Sequence, residues 1–291
     1  AALAVMRWHL HFSRMGIEPI IVPLLWTGAT WLLLRSWRTQ SRLSAIGSGV
    51  ILAASMYTYQ GAWIIPFLMI PTVGVLLIGK SASQGDGASR IANPKSRIAN
   101  LFLTALVALL LVLPLGWFFW HNPDLLLLRP TQIAVGVDAN AAKATIAQEI
   151  WATATMFGPF GTPGDFDPRR NLPGQAALDL FLALPFYLGL AIALWKIRQP
   201  AYSIPLIGLV GLLLPGIFSE YAPHFHRILG AVAPVALLCG AGLDWLWRFF
   251  ANQRRASLVL VRWLAVLLLL GGGITTMRDY FYRWAALPDL Y

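Results

Sequence analysis

Acidic and basic side chains alternate within one glycine- and proline-rich stretch, GTPGDFDPRRNLPG (161–174), which contains Asp165, Asp167, Arg169 and Arg170. Glycine and proline favour turns over helix or strand, so this stretch is predicted to form a series of turns. Turns of fixed geometry hold charged side chains in place, as a site for a polar substrate requires. A solvated loop is the alternative interpretation.

The most compact polar group is SEYAPHFHR (219–227), which contains Ser219, Glu220, His224, His226 and Arg227. Arg227 is predicted to begin a helix, and the N-terminus of a helix favours anions. Because a guanidinium can contact phosphate through two hydrogen bonds at once, a lipid phosphate is a candidate ligand for Arg227 and His224. The alternative is that Arg227 pairs with Glu220 and reaches the membrane interface without a ligand.

A third polar group lies in WHLHFSRMGIEP (8–19). His11, Arg14 and Glu18 are three and four residues apart, so a helix would carry them on one face. Arg14 and Glu18 could line the same cavity as the first two groups. An interfacial belt with a structural ion pair is the alternative.

Two further segments carry aromatic residues beside polar ones. Tyr57 and Tyr59 precede Gln60 in YTYQG, where they could contact a polar substrate or belong to an aromatic belt at the membrane interface. Residues 139–157 have apolar side chains at helical spacing, which predicts an amphipathic helix lying in the interface. This helix is expected to serve as a lid or packing element.

The composition indicates which kind of elements must position these groups. Of 291 residues, 58% are hydrophobic and only 12% are charged, against roughly 25% charged in soluble domains. The chain is therefore predicted to be an all-α, polytopic membrane protein forming a single transmembrane domain over 1–291. Its net charge of +10 does not indicate nucleic acid, because the basic residues form short clusters between apolar runs. One cysteine, Cys239, excludes a disulfide framework.

Eight apolar runs are predicted to cross the membrane, the second only barely long enough. A long outer loop, 121–175, separates the fourth from the fifth. The predicted spans are 17–34, 45–59, 62–79, 98–120, 176–195, 202–218, 228–247 and 258–276.

The distribution of charge predicts which side of the membrane each loop faces. The loops after spans one, three, five and seven hold 12 Lys and Arg but one acid, Asp86, so they are predicted to be cytoplasmic. All five histidines and ten of the twelve acids then fall on the outer side, although they were not used to orient the spans. The residues able to act as acid, base or anion ligand are therefore expected on the outer face.

The motifs WHLHFSRMG, YTYQGAWIIP, GTPGDFDPRRNLPG and SEYAPHFHRILGAVAP, in this order, resemble those of bacterial lipid-carrier-dependent glycosyltransferases of the GT-C fold. That group includes the protein O-mannosyltransferases and the aminoarabinose transferases. The resemblance covers most of the chain. The chain shows no nucleotide-binding P-loop, GxGxxG, GxSxG or HExxH motif.

The resemblance implies transfer of a sugar from a polyprenyl-phosphate donor to an acceptor on the outer face of the cytoplasmic membrane. It implies that Arg227 and His224 bind the lipid phosphate. Asp165, Asp167, Arg169, Arg170, Arg14, Glu18, Tyr57 and Tyr59 are the candidates for contacts with the sugar or the acceptor. The family's catalytic aspartate lies in the first outer loop, which is expected to precede residue 1, so the catalytic base is unassigned. The expected partners are the donor lipid and membrane lipids; no cofactor is assigned, and a divalent metal stays open.

Two other functions are compatible with a chain of this composition. One is a transporter or flippase for a lipid-linked or small polar substrate, which should carry polar residues at mid-membrane depth and an internal repeat. The predicted spans are almost purely apolar and no repeat is evident. The other is a non-catalytic membrane subunit that binds a glycolipid.

Overall fold

The computed structural model of the protein describes residues 1–78, 94–133, 145–159, 164–219, 221–251 and 255–288. Within these ranges the chain forms helices and connecting turns, with no β-strand among its elements. This is the predicted all-α class. The α-helices are α1 Ala2–Val5, α2 Arg7–Met15, α3 Val22–Thr39, α4 Arg42–Met56, α5 Ile64–Ile78, α6 Pro94–His121, α7 Pro123–Ile133, α8 Ile146–Thr155, α9 Leu180–Trp195, α10 Pro200–Ile217, α11 Val232–Ala251 and α12 Arg255–Arg278.

Among the described residues, six helical stretches are long and apolar enough to cross a membrane. Two further apolar helices, Arg42–Met56 and Leu180–Trp195, correspond to the second and fifth predicted spans and are shorter. The predicted count of eight spans is therefore not confirmed. The six long stretches are Glu18–Thr39, Gln60–Ile78, Pro94–His121, Pro200–Ile217, Leu229–Phe249 and Trp263–Trp284.

Local sequence signals explain where several helices begin and end. Gly16 ends α2 with a left-handed φ of 64°, which glycine adopts without steric cost. The side chains of Ser41 and Asp179 accept hydrogen bonds from the first turns of α4 and α9. Such N-caps satisfy amide groups that have no partner within the helix.

α9 and α11 approach each other closely through glycines. A Cβ atom built on Gly189 would lie 1.9 Å from the carbonyl oxygen of Leu238, and one on Gly242 would lie 2.1 Å from that of Pro185. Only glycine therefore allows the two backbones to approach this closely, as is common between membrane helices. The largest fully buried side chains include Trp26, Phe12, Phe186 and Phe225.

Two predicted elements differ from the structure. Glu18 does not share a helix with His11 and Arg14, because Gly16 ends α2 and Glu18 starts a separate 3-10 turn. Arg227 does not begin a helix: α11 begins at Val232, after a 3-10 turn at Leu229–Ala231. The N-terminal amide groups of α11 are thus displaced from Arg227.

The predicted outer loop is more helical than its sequence suggested. α7 begins at Pro123, where a missing N–H costs nothing in the first turn of a helix, and this helix was not predicted. The predicted interfacial helix at 139–157 is α8, Ile146–Thr155, which starts with a capping box between Thr145 and Gln148. Residues 139–144 lie outside the described ranges.

Candidate functional site

Four segments that are distant in sequence meet at one end of the helix bundle. The indole of Trp8 donates a hydrogen bond to the carbonyl oxygen of Phe225 at 3.0 Å, and the indole of Trp284 donates to that of Pro168 at 2.7 Å. His11 Nε2 lies 2.9 Å from the carbonyl oxygen of Arg169. We call the segments 7–18, 164–179, 221–228 and 275–284 together the polar end.

The stretch 164–174 folds back on itself at the polar end. The amide of Gly164 donates to the carbonyl oxygen of Gly174, whose own amide donates to that of Asp165. A Cβ atom on Gly164 would lie 1.9 Å from the carbonyl oxygen of Gln175, so a side chain there would open the fold. The described part of GTPGDFDPRRNLPG is thus an ordered loop, while 161–163 lie outside the described residues.

Asp165 fastens this loop to the segment before α11. Its carboxylate accepts hydrogen bonds from the amides of Asp167 at 3.0 Å and of Phe225 at 3.1 Å. Only 5% of the residue is exposed. Burial raises the pKa of Asp165 above its ordinary value, against the opposing effect of these amides and of Arg170. The contacts give Asp165 the role of holding the loop in place.

Arg170 links both carboxylates of the loop to His224. Its Nη2 lies 3.1 Å from Asp167 Oδ2, and its Nε lies 3.1 Å from Asp165 Oδ2 without a hydrogen-bonding angle. Its Nη1 contacts Nε2 of His224. Arg169, the preceding residue, points outward with 79% of its side chain exposed and forms two hydrogen bonds with Asp167 at 3.0 and 2.8 Å.

His224 is buried and electrically neutral. It is 6% exposed, and burial together with the charges of Arg227 and Arg170 lowers its pKa to about 2. A neutral imidazole binds an anion as a hydrogen-bond donor and not as a cation. Its Nδ1 has no hydrogen-bond partner among the described residues. A buried polar atom left without a partner costs about 1–3 kcal/mol, and such atoms frequently mark functional sites.

His226 lies among aromatic rings beside His224. Its ring centroid is 6.0 Å from those of both Phe12 and Tyr59, and 5.9 Å from that of His224. Burial and the charge of Arg227 lower the pKa of His226, whereas Glu18 raises it.

Arg227, the residue predicted to bind the phosphate, is half-buried beside the two histidines. Its amide donates to the carbonyl oxygen of His224 at 3.0 Å, which makes a tight turn over 224–227. The predicted pair between Arg227 and Glu220 falls outside the described residues, because Glu220 does. The charge of Arg227 lowers the pKa of both His224 and His226.

A buried arginine that the sequence did not single out joins the two ends of the chain. Arg7, 8% exposed, pairs with Asp279 at 3.0 Å and donates to the carbonyl oxygen of Ala176 at 2.7 Å. Asp279 also pairs with Arg278 and Arg283 at 2.9 and 3.1 Å. The signal available in the sequence was one cation directly after the apolar run AALAVM, since a buried cation requires a partner.

The other candidate residues lie around this cluster to different degrees. Arg14 is exposed and stands over the rings of Tyr280 and Phe281, 5.3 and 5.6 Å from their centroids. The hydroxyl of Tyr57 donates to the carbonyl oxygen of Leu111 in α6 at 2.7 Å. The structure thus brings together Asp165, Asp167, Arg170, His224 and Arg227, and Tyr59 adjoins them through His226. Glu18 acts on His226 electrostatically, Arg14 contacts aromatic rings at the polar end, and Tyr57 contacts α6.

A cavity of about 460 Å³ lies at the polar end, between the start of α9 and the end of α12. Asp179, Thr275, Arg278 and Asp279 supply its polar lining, and Phe181 is among its apolar residues. Its volume falls within the roughly 300–1,000 Å³ of small-molecule sites. None of the predicted site residues lines it.

The described residues contain no group of three His, Cys, Asp or Glu side chains that could hold a metal ion. Asp165 and Asp167 form their ion pairs with arginines instead. The sequence left a divalent metal open, and these residues offer it no assembled ligand set.

The fold and the apolar helices define an all-helical, multi-pass membrane protein with a polar cluster at one end of its bundle. Comparison of the chain with models of protein families, with curated proteins and with solved structures finds no match in any of the three.

Proposed function

We propose that the protein is a membrane glycosyltransferase that moves a sugar from a polyprenyl-phosphate donor to an acceptor on the outer face of the cytoplasmic membrane. The observation that carries the proposal is the convergence of Arg227, His224 and Arg170 with Asp165 and Asp167 at the polar end. Cations and neutral hydrogen-bond donors at the level where helices end suit a lipid phosphate. The exposed guanidinium of Arg169 and the partly exposed carboxylate of Asp167 beside them suit sugar hydroxyls.

The proposed reaction is a direct displacement at the anomeric carbon. An acceptor oxygen forms the new bond as the bond from this carbon to the phosphate oxygen breaks, and the electron pair leaves with the lipid phosphate. The proton of the acceptor hydroxyl passes to a carboxylate base, which is not assigned to any residue of this chain. Arg227 stabilises the charge that develops on the departing phosphate, and His224 donates a hydrogen bond to it.

The residues of the 164–174 loop have two different roles in this proposal. Asp165 is buried and Arg170 is half-buried, and both contact the other members of the cluster, so they position the loop and His224. Asp167 and Arg169 reach the surface as a hydrogen-bonded pair, where they can contact the sugar or the acceptor. Tyr59 and Glu18 complete the proposed site on the side of His226.

Substitution of Arg227 tests the proposal. The natural protein in proteoliposomes is supplied with a radiolabelled polyprenyl-phosphate sugar and membrane-extracted acceptors, and transfer is compared with that of Arg227→Ala and Arg227→Lys. Loss of a charge-assisted hydrogen bond costs about 1.5–3 kcal/mol, so we expect transfer by Arg227→Ala to fall about 10- to 100-fold. Arg227→Lys should retain part of it, because the charge remains and the two-pronged geometry is lost.

The matched control is Arg248→Ala, which removes an exposed arginine that pairs with Asp244 in α11. This variant should transfer at the rate of the natural protein. A correctly folded Arg227→Ala protein with unchanged rate and donor affinity would refute the phosphate assignment. Movement of the labelled lipid across the bilayer without sugar transfer would favour a transporter instead.

A further inference from the structure

The contact between Arg170 and His224 determines which ring nitrogen of His224 can carry a proton. All the hydrogen-bonding groups of a guanidinium are donors, and it does not lose its proton in proteins. Nη1 of Arg170 contacts Nε2 of His224, so Nε2 must offer its lone pair. A neutral imidazole that accepts at Nε2 carries its proton on Nδ1.

We propose that Arg170 is a positioning residue that keeps His224 in the neutral, Nδ1-protonated form, so that the site presents a fixed N–H donor to an anionic ligand. This inference rests on the proposed function only for the identity of the ligand, a phosphate ester. The protonation state itself follows from the geometry.

Arg170 is itself held in place by two acids. Its Nη2 and Nε each lie 3.1 Å from a carboxylate oxygen, of Asp167 and Asp165 respectively, and Asp165 is anchored by the amide of Phe225, the residue after His224. A closed series of contacts therefore runs from His224 to Arg170, from Arg170 to Asp165, and from Asp165 through the amide of Phe225 back to His224. Arg170 cannot turn away from His224 without leaving both carboxylates.

The remaining surroundings of His224 disfavour a second proton. Arg170 and Arg227 both bring positive charge to the ring, and His226 lies 5.9 Å from it, centroid to centroid. Asp165 and Asp167 are turned to Arg170, and they supply no acceptor to His224 in the described structure. The ring therefore stays neutral through the range in which an ordinary histidine gains its charge, between about pH 5 and pH 8.

The donor that this arrangement creates has no partner within the described residues. Nδ1 of His224 is buried without a hydrogen bond, in a residue that is 94% covered. Nε2 of His226, the adjacent histidine, is likewise buried without a partner. A phosphate oxygen bound beside Arg227 would accept from Nδ1–H of His224, and the protonation of this donor would not vary with pH.

The test is ¹⁵N NMR of the purified protein in detergent, with histidine side chains labelled and the His224 signals assigned by their loss in His224→Gln. We expect one pyrrole-type signal from Nδ1 and one pyridine-type signal from Nε2, both constant from about pH 5 to pH 8. Arg170→Met removes the donor, so the proton should move to Nε2 or the ring should titrate. Arg170→Lys keeps a charged donor and should restore the original pattern in part.

Arg169→Met is the matched control, because the adjacent arginine is exposed and pairs with Asp167 alone. It should leave the signals of His224 unchanged. A protonated Nε2 or a doubly protonated ring in the natural protein at neutral pH would overturn the inference, as would an unchanged pattern in folded Arg170→Met. Should Arg170→Met fail to fold, the spectrum of the natural protein still decides.

Adding dodecyl phosphate separates this inference from the proposed function. A shift of the Nδ1 signal on titration, absent with dodecyl maltoside at the same concentration, supports the phosphate ligand. The spectrum can show the predicted tautomer while the Nδ1 signal does not shift with dodecyl phosphate. That result would support the positioning role of Arg170 and would count against a phosphate site.

Discussion

Two neighbouring arginines show how strongly the surroundings of a residue determine its role. The side chain of Arg170 is 23% exposed and contacts two acids and a histidine, whereas that of Arg169 is 79% exposed and contacts Asp167. Exposed ion pairs contribute little to stability, because solvent screens them and ordering long side chains costs entropy. Substitution of Arg170 should therefore perturb the site far more than substitution of Arg169.

The buried histidine predicts a pH dependence of folding stability. The pKa of His224 is about 2 in the folded protein against an ordinary 6.5, so the unfolded chain binds more protons below pH 6.5. The contribution of a neutral His224 is present in full above pH 6.5 and is lost as the pH falls toward 2. Between pH 7 and pH 5 this group should cost about 2 kcal/mol of folding free energy.

Thermal unfolding of the natural protein in detergent at pH 7 and pH 5 measures this loss, which His224→Gln should reduce. An identical loss of stability in the natural protein and in His224→Gln would show that His224 is not the group responsible.

The buried ion pair of Arg7 and Asp279 predicts that substitution of Asp279 destabilises the protein more than substitution of Arg7. Asp279→Asn leaves Arg7 buried without its carboxylate, and breaking a buried pair in this way costs about 3–5 kcal/mol. Arg7→Met should cost less, because Asp279 retains Arg278 and Arg283. The unfolding midpoints of the two variants in detergent measure their stability. Equal losses of stability in Asp279→Asn and Arg7→Met would contradict the prediction.

At the scale of helices, the close approach of α9 to α11 depends on glycines, which have no side chain. Gly189→Ala places a methyl group where the carbonyl oxygen of Leu238 now lies 1.9 Å away, so one backbone must move. Overpacking of this kind costs about 1–3 kcal/mol. Gly240→Ala in the same helix as Leu238 meets nothing within 4 Å and should be neutral or slightly stabilising.

Unfolding in detergent compares the two alanine variants with the natural protein. We expect Gly189→Ala to be clearly less stable than the natural protein, and Gly240→Ala to be as stable as the natural protein. Equal stability of both would mean that α9 and α11 adjust to an added methyl group, and that their close approach does not hold the bundle together.

At the scale of the whole molecule, the orientation in the membrane is a prediction of the charge distribution. Cys239 is fully buried, so the natural protein should react little with an impermeant maleimide. In intact cells, Ser13→Cys in α2, at the polar end, should be labelled. Thr39→Cys, at the C-terminal end of α3 and thus on the predicted cytoplasmic side, should be labelled only after permeabilisation. Labelling with the opposite preference would invert the orientation and contradict an outer-face site.

The sequence alone determined the helical class, because long apolar runs can satisfy their backbone hydrogen bonds in a membrane only within each segment. It also located the polar groups at 161–174 and 219–227, since charges there interrupt otherwise apolar sequence. Its predicted helix limits were wrong where a single glycine or a short 3-10 turn intervenes, as at Gly16 and before Val232.

Only the tertiary structure decided which polar groups meet. Arg7 and Asp279 are 272 residues apart and Arg170 and His224 are 54 apart, and no local periodicity relates such positions. Burial likewise separated Arg170 from Arg169 and made His224 neutral, because the cost of removing a charge from water depends on every segment packed around it. Residue types and spacing are local properties, whereas contact and desolvation are properties of the assembled bundle.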